Sequence, residues 1–335
     1  MNEKCIAKNH CFWLSVVVIG RNEESRLPAL FKSLPSGDDI EWIYVDSQSE
    51  DDSVKIALDN GAKVCLVDED SVYAAGTGRY VGTREAGGQW ILYLDGDMVL
   101  TAEFRVFLDQ LKKAKELPPQ TAGFVGRTCN HFLDRSGEVV AVRDYVVLEE
   151  KEMGKLEDWG KPVVYHGGAV LYLRDCVLRA GNWNPAIYQL EEIDLCSRVR
   201  AQGGILRAVD LPMANHYTPY LNTLERIKLN FLPRWRGKNL FGAGQVVAAR
   251  AKAGTLVQFA RYYPYPFIVL IGILTVPFFY IIWPPLPLLF NAAIAVWLGF
   301  IKKWYYYLVY LGNLFQIIRG LGRYRPFKPN YRQIG

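Results

Sequence analysis

Short apolar runs alternate with polar, helix-periodic stretches through the first hundred residues. Val16–Ile19 is a β-branched run followed by the polar GRNEE, after which Leu27, Leu30, Phe31 and Leu34 recur at helical spacing until Pro35 and Gly37. Strand, loop and helix are the expectation. Trp42–Val45 predicts a second strand ending in Asp46, residues 53–60 a helix closed by Gly61, and Lys63–Val67 a third strand. Residues 82–86 fall in another helix, and Trp90–Leu94 is a fourth strand. This alternation predicts an α/β domain on a mostly parallel sheet.

Further along, GGAVLYL (residues 167–173) reads as a strand, followed by a short helix and the turn GNWNP. QLEEIDLCSRVRAQGG then predicts a helix with Glu191, Glu192 and Asp194 crowded into its first turn, where the helix dipole tolerates acids. Its end is marked by Gly203 and Gly204. The pattern changes after residue 221. Residues 222–264 read as amphipathic interfacial helices. From Tyr265 to Ile318 the chain is almost uninterruptedly apolar and aromatic. Tyr265–Trp283 matches the roughly 20 residues needed to cross a bilayer core; Pro284 and Pro285 separate it from a shorter run, Leu286–Ile301. A transmembrane hairpin is expected, with a third membrane or interfacial helix at 304–318 and a basic tail up to 335. The organisation is thus an α/β domain over 1–221, interfacial helices over 222–264 and a membrane region over 265–335.

Half of the 335 residues are hydrophobic, enough for a full core with apolar surplus, and the surplus sits in that last region. The formal net charge of +5 is too small to point to nucleic acid. Lys and Arg crowd instead around the apolar run, from Arg226 to Arg261 before it and from Arg319 to Arg332 after it. Such flanks favour the cytoplasmic side and anionic headgroups. Six cysteines are scattered without CxxC pairing, which suits a reduced cytoplasmic domain and argues against a zinc site. The expected location is the inner face of the cell membrane.

In open α/β sheets ligands bind beyond the carboxyl ends of the strands. The segments GRNEE, VDSQSEDDS and LDGD all fall at such ends, which predicts a nucleotide-type ligand. Asp95 and Asp97 straddle Gly96 just after a buried strand. Two carboxylates so placed repel unless a hard cation or a donor lies between them, and oxygen-rich sites select Mg²⁺ or Mn²⁺.

SVVVIGRNEESRLPALFKSL, YVDSQSEDDSVKIA, AAGTGRYVGTREAGGQWILYLDGD and EEIDLCSRVRAQG together resemble the family 2 glycosyltransferases, inverting enzymes with the nucleotide-sugar-binding fold called GT-A. The resemblance covers roughly Ser15 to Asn215. It implies that Ile19, Arg21 and Glu23 lie around the base and ribose of a nucleotide-sugar donor, that Asp46 contacts the nucleobase, and that Arg79 lies near the diphosphate. It makes Asp95, Gly96 and Asp97 the ribose and metal element, with Asp97 the direct ligand of Mn²⁺ or Mg²⁺ and His216 a further one. The family's general base is the aspartate of a Glu-Asp pair; here the pair is Glu191-Glu192, so Glu192 is the expected base, with Glu191 and Asp194 as alternatives. Asp194 also suits an i,i+4 ion pair with Arg198. FLPRW (residues 231–235) resembles the QxxRW signature of processive synthases, but Phe231 replaces its glutamine. Arg234, Trp235 and Arg236 line an acceptor site or anchor an interfacial helix.

The implied function is transfer of a sugar to a lipid or lipid-linked glycan by a membrane-held domain, in surface polysaccharide or glycolipid assembly. A polyprenyl-phosphate sugar transferase is the neighbouring alternative; its acceptor is already ionised, so the crowded acids favour a hydroxyl acceptor. A nucleotide-sugar-binding scaffold without turnover is the third, supported by glutamate at position 192.

Overall fold

The computed structural model describes residues 12–69, 74–144, 148, 150–222, 225, 242–262, 321–322 and 324–334. β1 (Phe12–Gly20), α1 (Leu27–Ser33), β2 (Ile40–Asp46), α2 (Ser53–Asp59), β3 (Lys63–Val67), α3 (Ala75–Glu85) and β4 (Gly88–Asp95) follow in the order the hydrophobic pattern predicts. After them come β5 (Met98–Leu100), α4 (Ala102–Lys113), β6 (Thr121–Leu133), β7 (Val139–Arg143), β8 (Lys161–Val163), β9 (Val170–Leu173), α5 (Arg174–Arg179), α6 (Glu191–Ala201), β10 (Ile205–Pro219) and β11 (Tyr331–Ile334). All the strands belong to one sheet, ordered β11-β3-β2-β1-β4-β9-β6-β10-β5, with β7 beside β6 and β8 beside β10.

The pairing is parallel through β3-β2-β1-β4 and between β6 and β10. It is antiparallel at β4-β9, β9-β6, β10-β5 and β11-β3. The sheet is therefore mixed, as the GT-A resemblance implies, and its antiparallel part is what the hydrophobic pattern does not predict. The cause lies in strands that carry no clear period-two pattern. Gly123 and Gly126 interrupt β6, yet each meets a neighbouring carbonyl, that of Leu171 or Leu211, so closely that a Cβ would collide. β10 contains Pro212, which sits at a register shift. Neither strand shows a local pattern that predicts it before its partner is known.

Leu14 and Val16 to Val18 are fully buried on β1, as suits a central strand covered on both faces. α3 packs on β1 and β2. Gly78 and Gly82, one turn apart on α3, face Ile19 and Val17; a Cβ at Gly82 would overlap the Val17 side chain. The missing side chains let α3 settle against β1, and this close approach carries Arg79 to the end of the sheet.

The described residues fall into two compact units. One comprises the chain up to Ala186, Glu191–Tyr220 and the stretch from Pro326; the other comprises Ile187–Leu190 and Leu221–Arg325. The residues read as the end of a basic tail form instead the edge strand β11, bonded antiparallel to β3, because Tyr331 and Ile334 supply apolar contacts against the core. In the second unit, helices Gly242–Lys252 and Leu256–Tyr262 bury Val246 and Phe259. Among the described residues no helix is long and apolar enough to cross a membrane. The expected spans at 265–283 and 286–301 and the run at 304–318 lie outside the described residues.

Candidate active site

The polar loops after β1 and β2 are knitted together. Backbone amides of Asn22, Glu23 and Glu24 donate to Ser49 Oγ (2.9 Å), Ser53 Oγ (2.8 Å) and Asp51 Oδ2 (3.1 Å). In return the amides of Glu50 and Asp52 donate to Asn22 Oδ1 (2.8 Å) and Glu24 Oε2 (3.1 Å). Asn22 and Gln48 adopt left-handed backbone to make these turns. Much of the acidic character of these loops is thus spent on orphan amides. Asp46 is an instance: it is 1% exposed and accepts from the amide and hydroxyl of Ser49 and from Tyr44. It closes the loop after β2. Arg21 is half exposed and pairs with Glu50 at 3.5 Å.

The Asp95-Gly96-Asp97 turn is strapped to β1, since the Gly96 amide donates to the Ile19 carbonyl at 2.8 Å. A Cβ at Gly96 would press on the Glu23 side chain, so Glu23 lies against the two aspartates. Burial first, then Asp97, Asp95 and Asp51, push the Glu23 carboxyl up to about 7. On the far side, Gly168 approaches Asp95 Oδ2 so closely that any larger residue would clash.

β5 turns the chain so that Met98 pairs with His216 on β10. Asp97 Oδ2 then lies 3.0 Å from His216 Nε2, while His216 Nδ1 meets Asn130 Oδ1 at 2.8 Å. The Asn130 carbonyl fixes the proton on Nδ1 and leaves Nε2 aimed at the carboxylate. Burial opposes a charge on His216, but the bond and charge of Asp97, with Asp95 and Glu23, hold it above the ordinary histidine range.

A cation fits this pair. Two ligands at about 2.1 Å from an octahedral ion and at right angles are about 3 Å apart, the spacing seen between Asp97 and His216. Asp97 and Asp95 set like charge beside Glu23, which such an ion would offset. Among the described residues no group of three or more His, Cys, Asp and Glu side chains is arranged to hold a metal alone. The remaining positions would fall to ligand oxygens and water.

Arg79 is 1% exposed and does not reach outward. Its guanidinium donates to Asp95 Oδ1 (2.8 Å), Glu191 Oε1 (3.0 Å) and Glu192 Oε1 (3.5 Å) and stacks over the Trp183 ring at 5.0 Å. Burial works against its charge, but Asp95, Glu192 and Glu191 together hold it above the ordinary range. The residue expected beside a diphosphate thus serves as the bridge between the aspartate turn and the acid pair.

Within that pair Glu191 is nearly buried, with 5% of its side chain exposed, whereas Glu192 keeps 22%. Burial raises both carboxyls, Glu192 adds to the rise at Glu191, and Arg79 opposes it. Glu192 is therefore the more accessible acid. Asp194 is fully buried and accepts from Arg198 Nε (3.0 Å) and Nη2 (2.8 Å). That removes it from the candidate bases and makes it structural. Arg234, Trp235 and Arg236 lie outside the described residues.

Asn130, Gly168 and Trp183 are site residues that sequence reasoning missed. Only Gly168 carried a local signal, a glycine pair directly before an apolar strand.

Residues 15–177 match the family model described as Glycosyl transferase family 2. The chain is 35% identical over 95 residues to the 4,4'-diaponeurosporenoate glycosyltransferase of Staphylococcus haemolyticus (strain JCSC1435), a match over 27% of this chain and 25% of that protein. The chain thus spans about a quarter of the length of that curated relative. The solved mannosyltransferase PcManGT from Pyrobaculum calidifontis, in complex with GDP-Man and Mn²⁺, has a TM-score of 0.53 and 16% identity, covering 91% of this chain and 86% of its own. The likeness to PcManGT shows a shared GT-A-like mixed α/β fold, and residues 15–177, just under half of the chain, are similar to the family 2 glycosyl transferases.

Proposed function

We propose that the chain is a metal-dependent, inverting glycosyltransferase that moves a sugar from a nucleotide-sugar donor to a lipid or lipid-linked glycan at the cytoplasmic face of the cell membrane. The observation that carries the reading is the joining, through Arg79, of the Asp95-Gly96-Asp97 turn to the Glu191-Glu192 pair. One end carries Asp97 and His216, each about a quarter exposed, and the other the partly exposed Glu192. The family match over residues 15–177 and the Mn²⁺ named with PcManGT agree with it. The apolar runs from Tyr265 and their basic flanks support membrane attachment, and attachment supports a lipid-borne acceptor by raising its effective concentration.

Asp97 and His216 would hold the cation, which when bound offsets charge on the leaving diphosphate. Glu192 takes the proton of the acceptor hydroxyl. The acceptor oxygen bonds to the anomeric carbon as the bond from that carbon to the diphosphate breaks, on the opposite face, so configuration inverts. Burial holds the Glu192 carboxyl above the ordinary range and Asp95 adds to the rise, against the opposing charge of Arg79, which makes Glu192 a stronger base than an exposed glutamate. Asn130 keeps the His216 ring in register.

The test is binding of UDP, TDP, GDP and CDP to detergent-purified protein with and without Mn²⁺, on the wild type and on Asp97→Asn. Metal-dependent binding of one nucleotide, lost in the variant, is expected. A folded protein that binds none would end the glycosyltransferase reading. Lipid extracts against soluble sugars, with the nucleotide sugar so identified, then test the acceptor class.

A further inference from the structure

We propose that Trp183, in the turn before α6, is a positioning residue that acts through Arg79 to set the geometry of the Glu191-Glu192 pair. This rests on the proposed transfer reaction, in which that pair supplies the base. Trp183 is 1% exposed, and its indole lies under the Arg79 guanidinium at 5.0 Å. A guanidinium over an indole is attracted by the ring quadrupole and is held flat against it. With that face so occupied, the Arg79 fork reaches Asp95 Oδ1 at 2.8 Å and Glu191 Oε1 at 3.0 Å.

The indole is itself fixed. Its ring meets Tyr93 edge to face at 5.2 Å and His166 at 5.9 Å, perpendicular. Asn182, in left-handed backbone, accepts the Trp183 amide on its Oδ1 at 2.7 Å and donates its Nδ2 to the Tyr80 carbonyl at 3.1 Å. Tyr80 is the neighbour of Arg79, so the turn and α3 are tied together beside the stack. Arg198 Nη1 donates to the carbonyls of Ala180 and Asn182, and Arg198 is in turn held by Asp194. Asp194 and Arg198 stand on the helix that begins with Glu191 and Glu192.

The connections therefore close into a ring. α6 orders the turn through Asp194 and Arg198, the turn presents Trp183, Trp183 orients Arg79, and Arg79 returns to the first residues of α6. No substrate contact is asked of Trp183; it decides where the arginine fork, and hence the accessible Glu192, points.

Trp183→Leu and Trp183→Phe separate the aromatic face from mere bulk. A shift of about 1 Å in a reacting group costs on the order of 100-fold. On that scale Trp183→Leu is expected to lower kcat by roughly 10- to 100-fold while donor KM stays within about 2-fold, and Trp183→Phe to recover most of the loss. The kcat profile of Trp183→Leu should also shift on its acid limb, which a generally loosened core would not move. A crystal structure of Trp183→Leu gives a reading that needs no activity: the Arg79 contact to Glu191 is expected to be lost on an unchanged backbone. Retention of that contact, or equal kcat and pH profile in Trp183→Leu and wild type, overturns the proposal. A wild type that binds no nucleotide overturns the transfer reading instead, and the crystal structure still decides the role of Trp183.

Discussion

Carboxylates of the same type do different work here according to their neighbours. Glu192→Gln removes the accessible acid and is expected to lower kcat by on the order of 100-fold or more while nucleotide binding is kept, measured by steady-state rates beside equilibrium binding. Asp194→Asn strips the charge from the fully buried partner of a largely buried ion pair. Breaking such a pair costs about 3 kcal/mol, so its effect should appear first in urea denaturation. Glu23 predicts the pH response of the metal-free protein. Its carboxyl rises from 4.5 to about 7 on folding, so between those values the folded state binds the extra proton. Stability contributed by this group is present below about pH 4.5 and lost as pH rises through about 7. Urea midpoints taken from pH 5 to 7.5 should therefore fall less in Glu23→Gln than in wild type; parallel curves would refute this.

At the scale of elements, α3 and β11 matter most. The pair Gly78 and Gly82 sets the depth of α3 on β1, and at its other end Glu85 accepts from Tyr331 Oη at 2.6 Å and pairs with Lys63 Nζ at 2.6 Å. The returning C-terminal strand thus holds the helix that carries Arg79. It also constrains the proposed anchor. The chain leaves the catalytic unit after Tyr220 and rejoins it from Pro326, with β11 bonded to β3. A segment whose two ends attach to one domain on one side of a bilayer crosses it an even number of times. A cysteine placed at Gly335 in a background lacking the other cysteines should be labelled by impermeant maleimide only from the side that also labels the catalytic unit. Labelling from opposite sides would refute even crossing.

For the whole molecule, ligand and metal together should stabilise the catalytic unit by mass action. At 100 times the dissociation constant the gain is about 2.7 kcal/mol, read as a rise in melting temperature with nucleotide and Mn²⁺. Asp97→Asn should lose most of that rise, and His216→Ala should lose part of it. An equal rise in all three proteins would place the cation elsewhere.

Much of this architecture is legible in the chain itself. The strand-helix alternation from Val16 to Leu94 and the position of Asp95-Gly96-Asp97 at a strand end follow from periodicity, because each element's buried face repeats within a few residues. The sequence also narrows the chemistry to a cation and an acid pair. The tertiary structure decided how those acids are partnered. Asp46 turned into a loop closure, Asp194 into a partner of Arg198, and Arg79 into the bridge to Glu191, 112 residues away. The Asp194–Arg198 pair was legible as an i,i+4 spacing and the Asp46 contact is local, whereas the reach of Arg79 to Glu191 depends on how closely α3 approaches β1, which no local pattern encodes. The glycine-broken β6 and Pro212 in β10 were hidden for the same reason: their meaning lies in the partner strand.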